Sequence, residues 1–403
     1  MQTIITRSKQ ITAIGLCLFT SVASALPFSS YDPRSQAMGG SGVAAGNASN
    51  AAFFNPALLA AARSEEDFAL ALPIIGVRVS DKDKFRDDLD ELQDVLDRLE
   101  AVDSVDDAPQ TFDDINELER LLRKADGDRV EAEALVGFTV GVPSKRWGIS
   151  VFADARGLVG AQVNVAERDL RFLDVPVFST IVYELAEDPE QLLDSEVQYT
   201  GAVIGEAGIA FARNFDIPWI GDLAVGITPK YTRIATFDYV QTVAEAELDV
   251  DEGRRDYDDF NVDLGIAKAL TDRLKIGLVG KNLISDSYET VRGNTIRIEP
   301  QARLGLAWDT GTVTLTGDVD VIENDPLGPL DSKTQYASVG AELNLLNTLK
   351  LRAGYRANLA DSDYNEELFT AGFGFQVLGL HLDFAGMVGN DEYAVGLQTG
   401  FRL

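Results

Sequence analysis

The clearest pattern in the chain is an alternation of apolar and polar residues over segments of about ten residues. Near the C-terminus one parity holds Tyr393, Val395, Leu397, Thr399, Phe401 and Leu403, and the other is small or polar. Similar alternation runs through 312–322 and 349–359. Because side chains on a β-strand switch faces at every residue, each segment predicts a strand with one apolar and one polar face. Strands of soluble sandwiches usually have about 5–6 residues, so these longer segments favour a barrel that spans a bilayer.

Fourteen such segments are found, and the connections between them are alternately short and long. The predicted strands are 67–80, 131–142, 147–165, 197–214, 222–240, 257–270, 273–286, 296–309, 312–322, 334–345, 349–359, 366–376, 379–389 and 393–402. The connections 143–146, 271–272 and 310–311 are short, whereas 81–130, 167–196, 241–256, 287–295 and 323–333 are long. Outer-membrane barrels place short turns in the periplasm and long loops outside. The pattern predicts an all-β fold, a 14-stranded antiparallel transmembrane β-barrel over 63–403.

The first residues have the composition of an export signal. Arg7 and Lys9 precede the apolar run 11–22, and Ala23-Ser24-Ala25 supplies the small residues at which a signal peptidase cleaves. The run is shorter than the roughly 20 apolar residues of a spanning helix. We therefore expect 1–25 to be a signal peptide and the mature chain to reside in the bacterial outer membrane. The single cysteine, Cys17, lies within this segment, so the mature chain would form no disulfide.

Charge and side-chain chemistry exclude several classes of function. A net charge of −30 repels nucleic acid, so no nucleic-acid partner is expected. The single histidine, His381, is predicted to face the lumen beside Asp383, but the sequence has no Gly-x-Ser-x-Gly elbow. The acidic run 361–365 lacks the glycine and the glutamate of an EF-hand loop. We expect no catalytic residue, no metal site and no cofactor, and the expected partners are outer-membrane lipids and lipopolysaccharide.

The segment before the first strand carries a family resemblance. It reads YDPRSQAMGGSGVA over 31–44 and NAAFFNPALL over 50–59. This resembles the FadL/TodX-like outer-membrane superfamily, in which a Met-Gly-Gly-x-Gly stretch and an Asn-Pro-Ala turn precede the first strand. The full string is most similar to the branch of conjugal transfer TraF-like outer-membrane proteins. The resemblance implies a hatch over 26–62, inside a fourteen-strand barrel, that moves to admit fatty acids or other hydrophobic molecules. Its gating candidates are Met38, Gly39, Gly40, Asn55, Pro56 and Ala57.

An Ala/Gly-rich periplasmic linker is the alternative interpretation of the same segment. A linker would not need the large apolar residues Phe53, Phe54, Leu58 and Leu59, which therefore favour the hatch. We expect residues 31–59 to fold inside the barrel, with Asn55-Pro56-Ala57 near the base of the first strand.

Residues 81–130 have a helical rather than a strand pattern. Phe85, Leu89, Leu92, Leu96 and Leu99 recur at helical spacing, and Phe112, Ile115, Leu118 and Leu122 form a second stripe beyond Pro109. The stripes are separated by many acidic residues, which predicts an acidic helical hairpin in the first extracellular loop. We expect it to be a lid whose stripes pack on each other and on the barrel rim. A docking surface for a partner is the alternative.

Charged residues recur on the predicted lumen face. The lumen candidates are Arg297, Arg303, Asp318, Glu342, Arg352, Arg356 and His381. A two-residue loop at Thr310-Gly311 would place Asp309 opposite Thr312 and Arg303 opposite Asp318. The same count across the turn at 345–349 would place Arg352 opposite Glu342. Such walls either line a path for amphipathic carboxylates or form a salt-bridge ladder that stiffens the barrel.

Two functions remain open at this stage. The first is a FadL-like channel for hydrophobic or amphipathic small molecules such as fatty acids, with no enzyme activity. The second is a non-transporting outer-membrane component associated with plasmid conjugal transfer, which would act with a partner from the conjugation machinery.

Overall fold

The structure is a computed structural model that describes residues 32–61, 67–81, 83–101, 108–173, 193–244, 246, 248–249, 251–324, 333–360 and 367–403. The predicted signal peptide, 1–25, lies outside the described residues. Fourteen antiparallel strands close into one barrel in which chain neighbours pair and the first strand pairs with the last. The prediction of a 14-stranded antiparallel barrel is therefore confirmed.

The strands in the barrel wall differ in length by more than twofold. They are β1 Ala69–Ser80, β2 Arg129–Val142, β3 Trp147–Asn164, β4 Glu196–Ile217, β5 Gly221–Thr242, β6 Arg254–Ala269, β7 Leu274–Lys281, β10 Gln301–Asp309, β11 Val313–Asp320, β12 Tyr336–Leu345, β13 Leu349–Asn358, β14 Glu367–Val377, β15 Leu380–Val388 and β16 Glu392–Arg402. The 22 residues of β4 and of β5 exceed the 9–11 that cross a bilayer, so one side of the barrel rises above the membrane at the long-loop end.

The barrel carries its apolar side chains on the outside. In β16, Tyr393 and Val395 are exposed, whereas Glu392 and Gln398 on the other parity are buried. Trp147 and Trp308 lie on the outer surface near the short-turn end. An apolar exterior with aromatic residues near its edge suits lipid, and the polar interior suits a lumen. None of the helices within the described ranges is long and apolar enough to cross a membrane.

Two predicted strands each break into two, which corrects the sequence interpretation of 273–286 and 296–309. The outer parts leave the wall and form a separate hairpin of β8 Asp286–Glu289 and β9 Thr295–Ile298. Asn282 adopts a left-handed conformation directly after β7, and Pro300, which has no N–H to donate to a ladder, precedes β10. Alternation continues on both sides of each break, so the period alone could not reveal it.

The predicted register is correct in one hairpin and wrong in another. Glu342 pairs with Arg352, as predicted. Arg303 pairs with Asp320 rather than Asp318, and Asp309 pairs with Thr314 rather than Thr312. The turn is one residue further along, because Thr310 N–H bonds the Val313 carbonyl and Gly311 takes the positive φ of 87°. A shift of two positions leaves each side chain on its predicted face.

Helices occupy the N-terminal segment and the loops. The N-terminal segment contains α1 Pro33–Gln36, α2 Ala51–Phe54 and α3 Leu58–Ala61, and the loops contain α4 Phe85–Glu100, α5 Ala108–Ala125 and α6 Glu167–Leu173. Pro109 lies within the first turn of α5 rather than between the helices, where its missing N–H is tolerated. Phe112, assigned to the second stripe, is 52% exposed.

The helical hairpin packs on the wall as well as on itself. Leu92 and Leu118 share one core with Tyr199 of β4 and Phe237 of β5. Tyr199 has the same parity as Ile209, whose side chain is exposed on the outside of the barrel. The hairpin therefore covers the outer face of the extended β3–β5 sheet, on the side away from the lumen.

Candidate functional site

Residues 32–61, called the hatch below, lie inside the barrel. Asp32 caps α1 by accepting a hydrogen bond from Ser35 N–H at 2.9 Å, and Pro33 occupies the first helical position, where it favours the turn. Asn50 donates to the same Asp32 carboxylate at 2.9 Å, which joins the two halves of the segment. The helix α1 contacts β14, β15 and β16, while α3 contacts β3 to β6. The hatch therefore spans the lumen from one wall to the other.

Wall glycines allow the hatch backbone to approach the barrel closely. A Cβ added at Gly354 would lie 2.4 Å from the Gly39 nitrogen, and one added at Gly340 would lie 2.6 Å from the Met38 carbonyl oxygen. Three more wall glycines would place a Cβ within 2.5 Å of hatch backbone: Gly148, Gly226 and Gly277. These five positions belong to β3, β5, β7, β12 and β13, so the contact extends around much of the lumen. Any larger residue there would displace the hatch.

The Met38-Gly39-Gly40 candidates form the turn that follows α1. Gly39 and Gly40 have φ of 74° and 87°, a region that favours glycine. Thr370 of β14 accepts a hydrogen bond from Gly39 N–H at 2.9 Å and donates one to the Ala37 carbonyl at 3.0 Å. One hydroxyl therefore satisfies both a donor and an acceptor of the turn.

The Asn55-Pro56-Ala57 candidates lie against β5 and β6, not near the base of β1 as the sequence predicted. Asn55 donates to the Val43 and Ile266 carbonyls, both at 3.0 Å, and accepts from Ala57 N–H at 3.1 Å. Buried backbone groups need partners, and the Asn55 amide supplies them on this wall. The distance along the chain between the motif and β1 did not reveal which part of the wall the motif contacts.

Lumen charges bind the hatch to the wall. Asp318 accepts from Gly42 N–H at 2.7 Å and from Val43 N–H at 2.9 Å. Arg34 binds Glu342 at 2.9 Å, and Glu342 also binds Arg352 at 2.7 Å. Asp318, Glu342 and Arg352 therefore contact the hatch or hold a residue that does.

The other lumen candidates have different surroundings. Arg303 pairs with Asp320 at 2.6 Å and also donates to the Gly40 carbonyl of the hatch at 3.5 Å. Arg356 pairs with Glu392 at 3.4 Å and stacks on Tyr336. His381 is buried, with Nε2 at 3.2 Å from the Gln398 amide nitrogen. The prediction that Arg297 faces the lumen is wrong, because this residue lies exposed on β9, outside the barrel wall.

A small cavity separates the hatch from the wall. Its volume is about 30 Å³, which accommodates about two water molecules. Phe53 of α2 meets Phe152 of β3 edge to face, with 5.2 Å between ring centroids. Ionisable residues share the lining, namely Asp32, Asp154, Arg156, Glu206, Asp263 and Lys281. This hatch cavity combines an aromatic wall with a charged one.

Paired charges support the polar wall of the hatch cavity. Lys230, 1% exposed, binds Glu206 at 3.0 Å and Asp263 at 3.1 Å, and donates to the Asn282 amide oxygen at 2.7 Å. Lys281 donates to the Phe53 carbonyl of the hatch at 3.0 Å. A buried cation needs such partners, and Lys230 thereby connects the adjacent strands β4, β5 and β6.

Sequence reasoning missed a second closure, at the long-loop end of the lumen. The β8–β9 hairpin packs Ile296 and Ile298 against Leu158, Ile204 and Ile234, which face the lumen from β3, β4 and β5. We call this hairpin, residues 286–298, the outer cap. Burial next to Asp259 raises the pKa of Tyr288 in the cap, so this tyrosine stays protonated.

A buried carboxylate holds the loop of the outer cap. Asp238 of β5, fully buried, accepts from Thr290 Oγ1 at 2.7 Å and from Asn294 Nδ2 at 2.8 Å. Thr200 of β4 donates to its other oxygen at 3.3 Å. The one available signal was an aspartate within an otherwise apolar strand segment, Phe237-Asp238-Tyr239, and it did not identify the partner loop.

The fold is that of solved outer-membrane channels at low sequence identity. A structure titled CymD monoaromatic hydrocarbon channel has a TM-score of 0.53 and 11% identity, covering 94% of this chain and 98% of that one. The TodX deltaS2S3 mutant monoaromatic hydrocarbon channel has a TM-score of 0.52 and 13% identity, covering 93% of this chain and 99% of that one. The Pseudomonas putida toluene transporter TodX has a TM-score of 0.50 and 13% identity, covering 91% of this chain and 95% of that one. The protein therefore shares the fold of these barrels.

The family is set by sequence. The model described as "F plasmid transfer operon, TraF, protein" matches residues 52–320, well over half of the chain. The chain therefore belongs to this TraF family, as the motif between residues 31 and 59 predicted. No curated protein is similar enough to the sequence to count as a match.

Proposed function

We propose that the protein is an outer-membrane channel for small hydrophobic or amphipathic molecules, fatty acids among them, in which the hatch controls passage. The observation that carries the proposal is the position of the hatch, which spans the lumen between walls that carry glycine at its contact points. Solved barrels of the same fold are titled as hydrocarbon channels and as a toluene transporter, which supports a similar role here.

The hatch cavity supports a ligand with both apolar and polar parts. Phe53 and Phe152 offer an aromatic surface, and Lys281 and Asp154 lie on the same lining. A ligand the size of an aromatic ring does not fit in about 30 Å³ without movement of α2. Ligand binding would therefore favour a displaced hatch, because a ligand shifts an equilibrium towards the state that binds it better.

Liposome uptake of a small aromatic probe tests the channel. We expect uptake by wild-type protein and slower uptake by Phe152→Asp, which places a carboxylate against Phe53. Val151→Thr, on the outward parity of the same strand, is the control for effects on the wall. Uptake equal to that of protein-free liposomes would contradict the channel proposal.

Family membership favours a second candidate, a role in conjugal transfer without transport. The family description refers to a plasmid transfer operon, and the match extends from the hatch to β11. Transfer frequency from donor cells with and without the gene tests this role. Deletion of the gene should then reduce transfer, and Phe152→Asp protein should restore it. If probe uptake stays impaired in that restored strain, the role in transfer is separate from transport.

A further inference from the structure

The lumen wall on the short-turn side of the hatch holds an excess of positive charge. Four cations face one another there, Arg34 of the hatch, Lys350 and Arg352 of β13 and Arg402 of β16, together with two carboxylates, Glu342 and Asp383. We call these six residues the exit patch. Asp32, the other carboxylate near Arg34, already caps α1 and binds Asn50. In a protein of net charge −30, a patch with surplus cations needs an explanation.

The two carboxylates of the patch are fully used. Glu342 binds Arg34 and Arg352. Asp383 binds Arg352 at 2.6 Å, and its second oxygen is 3.7 Å from Arg402. Lys350 donates to the neutral Gln376 amide oxygen at 3.3 Å, and among the described residues it forms no ion pair. The remaining cationic capacity therefore belongs to Lys350 and Arg402.

Buried polar atoms without a partner converge on the same patch. Within the described part of the chain, Arg352 Nη2 and Arg402 Nε are buried donors that bind no acceptor. His381 Nδ1 and Gln398 Oε1, beside Asp383 on β15 and β16, are also without partners. A buried unsatisfied group destabilises the fold, more so when it is charged, so a cluster of such groups indicates a site built to receive a polar ligand.

The patch opens onto a vestibule at the periplasmic mouth. This cavity has a volume of about 380 Å³, within the range of small-molecule sites. Arg34, Lys350 and Gln376 lie on its lining. The lining also includes apolar groups, Ala44, Ala45, Ala48, Leu58, Ala61 and Ala307, and uncharged polar groups, Asn47, Thr314, Asn344 and Asn347. Lys275 and Asp309 also lie on the lining and contribute charges of opposite sign.

We infer that the exit patch binds the carboxylate of a small organic acid, whose apolar body lies in the vestibule. This inference deepens the proposed channel function and rests on it, because it assigns an anionic head to the molecule that passes. Lys350 on the vestibule lining and Arg402, which belongs to the exit patch but not to that lining, supply the charge. A lining of cations, amides and alanines suits a carboxylate.

Calorimetric titration of full-length protein in detergent micelles tests the assignment with benzoate, benzyl alcohol and inorganic phosphate. We expect benzoate to bind more tightly than either of the others. Lys350→Gln and Arg402→Gln should each weaken benzoate binding about tenfold, because each removes a charge-assisted contact. Lys145→Gln, which removes a cation from an exposed turn at the same end, should leave binding unchanged.

Each other result overturns the assignment in a recognisable way. Binding of benzyl alcohol without benzoate would overturn the exit patch and leave the channel proposal standing. Phosphate binding as tight as that of benzoate would replace the organic acid by a free inorganic anion. Benzoate binding unchanged in both variants would place the carboxylate elsewhere. Should one variant fail to assemble, the other decides.

Discussion

Glu342 of β12 accepts ion pairs from two arginines, Arg352 on the neighbouring strand at 2.7 Å and Arg34 in the hatch at 2.9 Å. The same carboxylate thus belongs to the barrel wall and to the attachment of the hatch. Both arginines and the carboxylate are almost completely buried. Loss of the carboxylate would leave Arg34 without this partner in the lumen, whereas Arg352 would keep its ion pair with Asp383.

Replacement of Glu342 by glutamine should loosen the hatch. Removal of one partner from a buried ion pair costs about 3–5 kcal/mol, and here most of that cost falls on the contact with α1. Hydrogen exchange of the backbone amides in residues 33–44 is the measurement. We expect these amides to exchange faster in Glu342→Gln than in wild type, and the increase to be larger there than in the strands. Glu323→Gln, at a half-exposed pair with Lys333, is the control. Equal protection in Glu342→Gln and wild type would show that this pair does not hold the hatch.

A methyl group at a wall glycine should displace the hatch directly. Gly354→Ala places a Cβ 2.4 Å from the Gly39 nitrogen, a distance that real Cβ atoms do not reach. Overpacking of this kind costs about 1–3 kcal/mol, and the hatch yields more readily than a closed barrel. Gly157→Ala is the matched control, because nothing lies within 4 Å of its added Cβ. The two variants are compared by the rate of hatch proteolysis, and equal rates would contradict close seating.

The outer cap should open when Asp238 loses its charge. Asp238→Asn keeps the size of the side chain but weakens the acceptance of hydrogen bonds from Thr290 and Asn294. Loss of a buried charged acceptor costs about 1–3 kcal/mol, which we expect as faster exchange across residues 286–298. Asp251→Asn, at an exposed ion pair with Arg254, controls for the change of charge. Unchanged exchange would mean that the apolar contacts alone hold the cap.

The acidic helical hairpin should become less stable as the pH rises. Burial, and then the neighbouring carboxylates Asp88 and Asp83, raise the pKa of Asp128 to about 7. A carboxyl whose pKa is raised on folding stabilises the folded state at low pH, and that contribution is lost as the pH rises from about 4 through about 7.

Proteolysis of the hairpin at pH 5 and pH 8 is the measurement for this prediction. Wild type should be cleaved faster at pH 8, and Asp128→Asn, which cannot ionise, should show a smaller difference. Lys124, which binds Asp88, stays charged across this interval because that contact raises its pKa. If the cleavage rate changes equally with pH in wild type and in Asp128→Asn, the pH dependence arises from other carboxylates.

The sequence predicted the barrel because a lipid-facing exterior imposes a strict period of two on every strand. It predicted the faces of Arg303 and Asp318 correctly, even where the register was wrong, because a shift of two positions preserves parity. Arg297 was misplaced for the opposite reason. The same period continues across the break at Pro300, so residues in the outer cap looked like barrel residues.

The candidate site was only partly visible in the sequence. The hatch motif pointed to residues 38–40 and 55–57, yet the wall glycines that seat them were unremarkable in a glycine-rich chain. Asp238 and the exit patch depend on contacts between strands that are far apart in sequence. Arg34 and Glu342, for example, are 308 residues apart, and no local pattern connects them.

Single-channel conductance of the assembled protein, with and without residues 31–50, tests the central claim that the hatch closes the barrel. Assembly of the deletion variant is checked by heat-modifiable mobility on gels. We expect low conductance for the full-length protein and a large, steady increase for the deletion, because Met38, Gly39 and Arg34 no longer occupy the lumen. Unchanged conductance in a correctly assembled deletion variant would contradict gating by the hatch and would favour the role in conjugal transfer.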